Sequence, residues 1–536
     1  MAADSKLNRT VLALYLSLIL ISQIFVSVSL CLSYLIVGSI LVIAFSFIVS
    51  PFILKFFSKL NINDEKHFKI SARKQKLMFY GIPFLIMLVY YFTYYPGGFI
   101  HDTLAQYGQY TTGVYYDWHP ALHTFFAFIL PLKLTGGWVG SIVLFQILVM
   151  TASLGYFFDT IHEYAGKLYV ILSMVYILVN PLFAICVNPW KDTTFAVGAM
   201  LLMTFALRIY MTSGEWIKKP VHIVVFVIVF VATTIFRHNG ILFTAPLMLA
   251  LLFQMSKKRF VCLVLACIAL FGVIKGPFYT AMGVERQTER RMSEMIGVPL
   301  NVICSAVTYT PELVDQDILD FAYEIAPHKI WGNYYEYGNI NIIKWNNEDE
   351  VNKLVNFDIV DNYEVTDILG MMFRCFRESP YVCGRSFVKL TESVYTITDD
   401  HYAEIVPYID DNWFKIGDMG VGIHNYLGLD KPATTENAMT IFFFTIRGFV
   451  KDYCPHIFLY YGVAVLLVII SVCSKSRLGK LKDWKKILFA IPLLAYNFGT
   501  ALLMSGYNDG PRYFYITVLV VPILLIFFYR KEVKTE

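Results

Sequence analysis

The sequence is poor in charge: only 16% of its 536 residues are Asp, Glu, Lys or Arg, whereas a soluble domain carries about 25%. Hydrophobic residues make up 57%, so an ordinary soluble fold would expose large apolar patches to water. Cysteine is also scarce, with nine in the chain and no CxxC pair, which excludes a disulfide scaffold. No cleavage site separates the first apolar run from the second, so we predict no cleavable signal peptide. These absences exclude the soluble, disordered and disulfide-rich classes and indicate a membrane protein.

The small net charge of +4 conceals two opposed regions. Residues 284–440 carry 26 acidic and 12 basic side chains, a net charge of −14, and all other residues together carry 14 and 32, a net charge of +18. We interpret the acidic region as water-exposed and the remainder as membrane-embedded. We therefore divide the chain into an N-terminal transmembrane hairpin with a basic cytoplasmic loop (1–76), a membrane core (77–283) with its first outer loop at 96–137, an acidic extracytoplasmic domain (284–454), and C-terminal transmembrane helices with a cytoplasmic tail (455–536).

Twelve apolar stretches are each long enough for a helix across the roughly 30 Å core of a bilayer. They cover residues 11–28, 31–54, 77–95, 138–157, 168–187, 192–212, 221–236, 240–255, 259–282, 455–473, 486–506 and 512–529. Cytoplasmic loops of membrane proteins are rich in Lys and Arg. The chain has 32 Lys and Arg residues that do not belong to the acidic region, and a cytoplasmic N-terminus places 25 of them on the cytoplasmic side. We therefore predict a multi-pass protein of the cell membrane with both termini in the cytoplasm.

One further apolar stretch, residues 119–134, is better explained as a surface helix than as a span. It is short and bracketed by Pro120 and Pro131, and counting it as a span would reverse the side of every later loop. We predict a surface-lying or re-entrant helix that packs against protein on the outer face. The acidic region then lies outside, and its short periodic runs predict mostly short helices and loops. The sequence thus predicts an all-α polytopic membrane protein with a large, mainly helical extracytoplasmic loop domain.

Charged side chains close to a bilayer are costly, so those left at the outer ends of the spans are the main functional candidates. The first outer loop contributes His101, Asp102, Asp117, His119 and His123. Asp102 stands near the start of a helical stretch, where it acts either as a general base or only as a helix cap, and Asp117 has the same two interpretations. His119 and His123 are four residues apart and share a helix face, a spacing that is compatible with a metal pair but weak evidence for one.

The second outer loop is very short and contains one basic and one acidic candidate. Lys191 and Asp192 open a helix directly after Trp190. In one interpretation they are an interfacial anchor, with Trp190 in the aromatic belt at the membrane surface. In the other, the lysine holds an anionic head group and the aspartate holds a polar acceptor.

Two arginines complete the set. Arg237 precedes His238 and Asn239 in a loop so short that its guanidinium stays near the hydrocarbon boundary, where it either binds phosphate through paired hydrogen bonds or snorkels as an anchor. Arg512 begins the last span, shortly after Asp509, and the glycines around Asp509 predict a tight turn. Two arginines at one depth predict a site for a phosphate or diphosphate head group.

The order of these motifs resembles the C-class (GT-C) glycosyltransferases, membrane enzymes that use polyprenyl-phosphate-linked sugars, and in particular an uncharacterised bacterial branch of them. The segments that carry the resemblance are GGFIHD, with Asp102 at the family's first-loop acidic position; DWHPAL, with Ala121 where the family has a second proline; WKDT, with Asp192; FRHNG; and GPRYFY, with Arg512 and Tyr513. The resemblance covers roughly residues 77–283 and 455–529. Two features depart from the family: the first two helices look like an added hairpin, and the acidic domain is internal, whereas many relatives place their soluble domain at the C-terminus.

The resemblance implies transfer of a sugar from a polyprenyl-phosphate carrier to a glycan, lipid or protein acceptor of the cell envelope. We expect Arg237, Arg512 and Lys191 to hold the donor phosphate, Asp102 to deprotonate the acceptor hydroxyl, and Asp192 to position the acceptor or a cation. Residues expected to bind or orient substrate are His101, Asp117, His119, His123, His238, Asn239, Asp509 and Tyr513. No cofactor is required, a divalent cation is compatible with the site, the lipid bilayer is a partner and no nucleic acid is expected. The alternatives are a polysaccharide polymerase or ligase that uses a lipid diphosphate donor, and a transporter or flippase for lipid-linked sugars.

Overall fold

The computed structural model describes residues 6–27, 32–60, 68, 70–93, 95–285, 292–346, 348–395, 461–475, 484–507 and 510–529. Within these ranges the chain is helical almost throughout. Its two strands, β1 (Tyr115–Tyr116) and β2 (Val284–Glu285), form one short parallel pair in which Tyr115 lies opposite Val284. The all-α class is therefore confirmed for the described residues.

The helices that precede β2 include the longest ones in the described chain. The α-helices are α1 (Lys6–Ser27), α2 (Leu32–Lys59), α3 (Ala72–Lys76), α4 (Ile82–Thr93), α5 (His101–Thr112), α6 (Ala121–His123), α7 (Leu130–Leu134), α8 (Gly140–Leu178), α9 (Lys191–Met211), α10 (Pro220–Phe236), α11 (Ile241–Leu251), α12 (Lys257–Val273) and α13 (Tyr279–Ala281). Three π-helical segments continue neighbouring helices: Leu77–Gly81, Thr124–Ile129 and Ile274–Phe278. Two 3₁₀ turns, Pro181–Val187 and Trp216–Lys218, precede α9 and α10.

Shorter helices occupy the described residues from 292 to 395. They are α14 (Gly297–Tyr309), α15 (Gln316–Ile325), α16 (His328–Tyr334), α17 (Asn341–Lys344), α18 (Asp349–Asn352), α19 (Val365–Glu378) and α20 (Pro380–Thr391). The 3₁₀ turns among them are Met292–Glu294, Pro311–Leu313, Phe357–Asn362 and Glu392–Val394. The described C-terminal helices are α21 (Tyr461–Lys475), α22 (Trp484–Ile487), α23 (Ile491–Ala501) and α24 (Gly510–Tyr529).

Seven helical stretches of the described chain are long and apolar enough to cross a membrane, judged by length and composition. They are Lys6–Phe25, Ser33–Lys59, Ala72–Phe92, Gly140–Leu178, Lys191–Met211, Lys257–Ala281 and Arg512–Tyr529. Helices also form at four other predicted spans, but they are shorter, with 17 residues in α10, 11 in α11, 15 in α21 and 11 in α23. The structure thus agrees with an all-α membrane protein, and the count of twelve spans stays a prediction.

The predicted spans 138–157 and 168–187 both lie largely within α8, in which two helices meet directly at a kink at Gly166 and no loop joins them. A straight α-helix of 39 residues would be about 58 Å long, roughly twice the thickness of the bilayer core. Gly166 bends the run, with a φ of 79° and a ψ of 177° that favour glycine. Pro181 explains why the run stops before 187, since the residue before a proline disfavours helical backbone. The predicted helix end at 187 was therefore wrong, and the 3₁₀ turn Pro181–Val187 takes its place.

The stretch expected to be a surface or re-entrant helix is helical from Ala121 to Leu134 and is too short to be a candidate span. Its side chains pack against protein: the ring of Phe126 lies 5.2 Å from that of Phe145 on α8 and 5.7 Å from that of Phe236 on α10. This packing against protein agrees with the expectation, and the position of the segment in the membrane stays a prediction.

The long helices differ strongly in burial. Only 11% of the apolar window is buried in α2 and in Lys257–Ala281, whereas 83% is buried in α24. The outward side of α2 carries large apolar residues such as Leu41 and Phe52, which are 65% and 69% exposed. Such a surface is unfavourable in water and suits contact with lipid tails. The more buried α24 packs against α8, α9 and α21 in the interior.

The region from 292 to 395 is attached to the loop that leads into α24. Its central helix, α14, is almost completely buried, and α19 and α20 pack against it. Asn301 Nδ2 donates a hydrogen bond to Ser505 O at 2.9 Å, and Tyr507 N donates one to Gly338 O at 3.1 Å. These contacts fix the position of the loop just before Arg512.

Candidate functional site

Two glycines hold the loop between α4 and α5 against the segment that precedes α9. Gly98 N donates a hydrogen bond to Val187 O at 3.1 Å, and a Cβ at Gly98 would stand 1.9 Å from Asn188 Oδ1. Gly97 has a φ of 133°, and a Cβ there would lie 2.7 Å from Val187 O. Because only glycine permits this close approach of two backbones, these positions bring the start of α5 next to the start of α9.

Asp102, on the first turn of α5, is the point where two cations meet. Lys191 Nζ donates a hydrogen bond to Asp102 Oδ2 at 3.3 Å, and Arg512 Nη1 lies 3.6 Å from the same oxygen. Asp102 does not cap its helix, because Ile100 is the N-cap residue and the Thr103 hydroxyl accepts a hydrogen bond from Ile100 N at 2.6 Å. The carboxylate therefore faces the first turns of α9 and α24.

The surroundings of Asp102 keep its carboxyl ionised. Burial raises the pKa of Asp102, but the positive charges of Lys191 and Arg512 outweigh burial and hold that pKa below its ordinary value. Beside them, burial and the charge of Lys191 lower the pKa of His119 to about 3, so its ring is neutral at neutral pH. A neutral ring suits the contact of 3.2 Å between Lys191 Nζ and His119 Nδ1, since an ammonium group only donates hydrogen bonds.

Asp192, the neighbour of Lys191, faces Arg237 in the protein interior. Arg237 Nη1 contacts Asp192 Oδ1 directly, and the two side chains are only 8% and 3% exposed. Arg237 Nε also donates a hydrogen bond to Asn239 Oδ1 at 3.0 Å, and Asn239 Nδ2 donates one to Thr500 Oγ1 at 3.0 Å. The Arg237 guanidinium is thus enclosed by protein partners.

Tyr513 connects the two arginines. The guanidinium carbon of Arg237 lies 4.4 Å from the centre of the Tyr513 ring, and that of Arg512 lies 4.8 Å from it. Arg512 Nη2 donates a hydrogen bond to the Tyr513 hydroxyl at 3.1 Å. The structure therefore brings Asp102, Asp192 and both arginines together at one end of the helices.

Asp117 has two partners. Its Oδ1 accepts a hydrogen bond from the N–H of Ala121, the first residue of α6, at 2.8 Å, and its Oδ2 lies 2.5 Å from Lys275 Nζ. Lys275 Nζ also lies 4.9 Å from the centre of the Tyr279 ring, and the Tyr279 hydroxyl accepts a hydrogen bond from Leu122 N at 2.9 Å. Pro120 and not Asp117 is the N-cap residue of α6, but the Asp117 carboxylate does bind the first N–H of that helix, and the ion pair links it to the π-helical segment that carries Lys275.

The paired histidines of the first loop have protein partners. His123 is fully buried, with Nδ1 2.9 Å from Gln106 Nε2 and Nε2 3.1 Å from Thr194 Oγ1. His119 instead contacts Lys191. In the described chain, no group of three His, Cys, Asp or Glu side chains is arranged to hold a metal ion. His119 and His123 therefore belong to hydrogen-bond networks of the site.

The remaining candidates lie around this cluster or outside the description. His238 is exposed, and its Nε2 lies 3.0 Å from Trp118 O, which connects the loop after α10 to the first outer loop. His101 begins α5, but its side chain lies outside the described part of the chain. Asp509 lies outside the described residues.

Four neutral polar contributors to the site were not predicted: Gln106, Thr194, Tyr279 and Thr500. Each takes part in a hydrogen bond to a residue far away in the chain. Charge and motif spacing, on which the predicted candidates rest, do not single out such residues. These residues could have been found as polar side chains on helix faces that must be buried, since buried polar groups need hydrogen-bond partners.

Exposure divides the site into an open and a closed part. The open part consists of Asp102, Lys191 and Arg512, whose side chains are 35%, 21% and 19% exposed. The closed part consists of the buried pair Asp192 and Arg237. An anion that enters the open part meets an ammonium and a guanidinium group beside a carboxylate. The open part is therefore suited to hold a phosphate with a hydroxyl group next to it.

No protein-family model, curated protein or solved structure matches this chain. The chemistry of the open part therefore carries the functional argument.

Proposed function

We propose that this protein is a glycosyltransferase that moves a sugar from a polyprenyl-phosphate carrier to a hydroxyl of a cell-envelope glycan, lipid or protein at the outer face of the cell membrane. The observation that carries the proposal is the convergence of Lys191 and Arg512 on one carboxylate oxygen of Asp102, at 3.3 and 3.6 Å. Transfer from a lipid phosphate requires cations for the leaving group and a base for the acceptor, and these three side chains supply both. The motif order that resembles the C-class glycosyltransferases, with twelve spans and a GT-C-like core, adds to this support.

The donor phosphate binds Lys191 and Arg512. When the bond between the anomeric carbon and the phosphate oxygen breaks, negative charge grows on that oxygen. The two cations, which are held in place beside Asp102, stabilise this charge, and such fixed groups contribute most to lowering the barrier. Polyprenyl phosphate is a good leaving group, so the step needs no separate general acid.

The acceptor hydroxyl attacks the anomeric carbon from the opposite side, and Asp102 takes its proton. The new glycosidic bond replaces the bond to phosphate, so one direct displacement inverts the anomeric configuration and releases polyprenyl phosphate. The proton first resides on the Asp102 carboxyl and then passes to solvent. Three side chains thus complete the reaction without a cofactor.

We assign the closed part a positioning role. Asp192 and Arg237 are buried and bound to each other, so they are less accessible to substrate than Lys191. Asp192 directly follows Lys191, and Arg237 lies on the Tyr513 ring beside Arg512. The closed part therefore fixes the backbone next to Lys191 and the Tyr513 ring on which the Arg512 guanidinium lies.

A transfer assay tests the function. Membranes that contain the protein receive polyprenyl-monophosphate and polyprenyl-diphosphate donors with labelled sugars, and the labelled acceptor products are counted. We expect Asp102→Asn to lower transfer by about 10²–10⁴-fold, the range that a general base contributes. Asp315→Asn, which removes an exposed carboxylate paired with Arg374, is the matched control and should transfer at the wild-type rate.

Each other outcome of the assay contradicts a specific part of the proposal. Near-normal transfer by Asp102→Asn would exclude Asp102 as the base. Use of the diphosphate donor alone would favour a polymerase or ligase. Movement of labelled carrier lipid across the membrane without any glycosidic product would favour a transporter.

A further inference from the structure

A cavity that shares no lining residue with the open part lies between the 292–395 region and the loop before α24. Its volume is about 230 Å³. Its lining residues come from the end of α14, the turn after α16, α20 and the loop before α24: Tyr309, Glu336, Tyr337, Arg385, Lys389 and Tyr507. The cavity thus combines three aromatic rings, two cations and one carboxylate.

The cations lie on one face of α20, four residues apart. The guanidinium carbon of Arg385 is 4.9 Å from the centre of the Tyr337 ring, and Lys389 Nζ is 5.1 Å from that of the Tyr507 ring. Lys389 Nζ is also 2.8 Å from Glu392 Oε1, whereas Arg385 makes no ion pair with any residue of the described chain. Among the described residues, no carboxylate therefore competes with an anion for the guanidinium donors of Arg385.

Two of the rings form one wall of the cavity. Tyr309 and Tyr337 are stacked, with ring centres 4.2 Å apart and planes at 14°, and Arg385 lies over the Tyr337 ring as well. The face of Tyr309 that points away from Tyr337 is therefore the one that can attract the partly positive C–H groups on the face of a sugar ring. The Glu336 carboxylate accepts a hydrogen bond from the Tyr507 hydroxyl at 3.0 Å and has further lone pairs for sugar hydroxyls.

The cavity is close to the open part along the chain. Tyr507 precedes Arg512 by five residues, a distance of at most about 18 Å for extended backbone. Gly510, at the start of α24, lies close to Ser393, which follows α20: a Cβ at Gly510 would stand 2.6 Å from Ser393 Oγ. The start of the helix that carries Arg512 thus contacts the segment that follows the helix that carries both cations of the cavity.

We propose that this cavity binds an anionic saccharide, a sugar that carries a carboxylate or a phosphate, with its ring on Tyr309 and its charge on Arg385. The location and the ligand class follow from the cavity alone. The role of the ligand as acceptor rests on the proposed glycosyl transfer.

Binding to the purified full-length protein in lipid nanodiscs tests the proposal without any donor. The probes are trigalacturonic acid, its fully methyl-esterified form, which lacks only the charge, and glucose 6-phosphate for the phosphate source. We expect trigalacturonic acid or glucose 6-phosphate to bind and the ester to bind at least about tenfold more weakly, the effect of one charged hydrogen bond. We expect Arg385→Gln to remove this preference for charge, and Arg374→Gln on the neighbouring α19 is the matched control that should keep it.

Three results would overturn the proposal: no binding of either anionic probe, equal binding of the acid and its ester, or unchanged binding to Arg385→Gln. A wild-type circular dichroism spectrum and melting temperature for Arg385→Gln would show that any loss is local. The two proposals fail separately. If glycosyl transfer is absent, the binding test still gives its answer; if the cavity does not bind anionic saccharides, the Asp102→Asn transfer assay still stands.

Discussion

Asp102 shares its two cations with the phosphate that we expect to bind beside it. Without a ligand, Lys191 and Arg512 hold the pKa of Asp102 below its ordinary value, so the carboxyl is ionised but is a weak base. A phosphate on the same two cations would compensate their charge and raise the basicity of Asp102. Donor binding would thus prepare the base for the acceptor.

The shared cations lead to a prediction about pH. We expect Lys191→Gln to move the acidic limb of the kcat/KM profile to higher pH, because Asp102 must be ionised and loses one of the charges that lower its pKa while burial still raises it. The profile is measured between about pH 4 and pH 8. Lys275→Gln, which removes the lysine paired with Asp117, is the control and should leave the acidic limb in place. An acidic limb that does not move in Lys191→Gln would show that Lys191 does not set the acidity of Asp102.

The buried pair Asp192 and Arg237 requires a different interpretation of mutants. Removal of one partner leaves the other charge buried and unpaired, which costs about 3–5 kcal/mol. A single variant at either position is therefore expected to lose stability together with activity. Only a change in donor KM at unchanged stability would indicate contact with substrate.

At the scale of elements, a short loop determines whether the open part forms. α5 and α9 carry Asp102 and Lys191, and the Gly97–Gly98 segment holds these helices together through Val187 and Asn188. The sequence pattern of neither helix predicts that the two helices lie side by side. The site therefore depends on a backbone contact that contains no charged group.

We expect Gly97→Ala to lower both the melting temperature and the transfer rate. The φ of 133° is unfavourable for alanine, and its Cβ would lie 2.4 Å from Val143 Cγ2 and 2.7 Å from Val187 O, so the loop must move, at a cost of about 1–3 kcal/mol. Gly113→Ala is the matched control: its φ of 71° is also positive, but no heavy atom lies within 4 Å of the added Cβ. Thermal unfolding and transfer by the two variants are compared, and equal effects would show that close packing at Gly97 does not matter.

Local sequence patterns predicted the helices better than the site. The predicted span 192–212 is close to the observed Lys191–Met211, because the length of an apolar run that matches the bilayer core can be read directly from the sequence. The end of α8 was missed because hydropathy does not register how Pro181 stops a helix. The contact of Asp102 with Lys191 joins residues that are 89 positions apart, and no spacing rule covers such a pair. Charge near a membrane did select these residues, but it could not assign their partners.

At the scale of the whole molecule, the exposed apolar helices and the separation of acidic from basic residues both indicate how the chain lies in a membrane. α2 and Lys257–Ala281 turn apolar side chains outward, as lipid contact requires, while α24 is enclosed by other helices. The acidic residues concentrate in 284–440, and the bases dominate the loops of the remaining chain. Under the positive-inside rule, this separation predicts that the acidic region and the open part share the outer side.

Thiol labelling in intact cells tests that sidedness. We expect Asp315→Cys, on an exposed turn of the acidic region, to react with a membrane-impermeant maleimide in intact cells, because the positive-inside rule predicts that the acidic region lies outside. Lys74→Cys, on the exposed helix α3 of the basic segment before α4, should react only after the membrane is permeabilised. Labelling of each variant is measured above that of the parent chain, which accounts for its native cysteines. The reverse pattern would place Lys74 outside and the acidic region in the cytoplasm. The open part would then face nucleotide sugars instead of an extracytoplasmic acceptor, so this result would rule out the proposed transfer even if Asp102 proved essential.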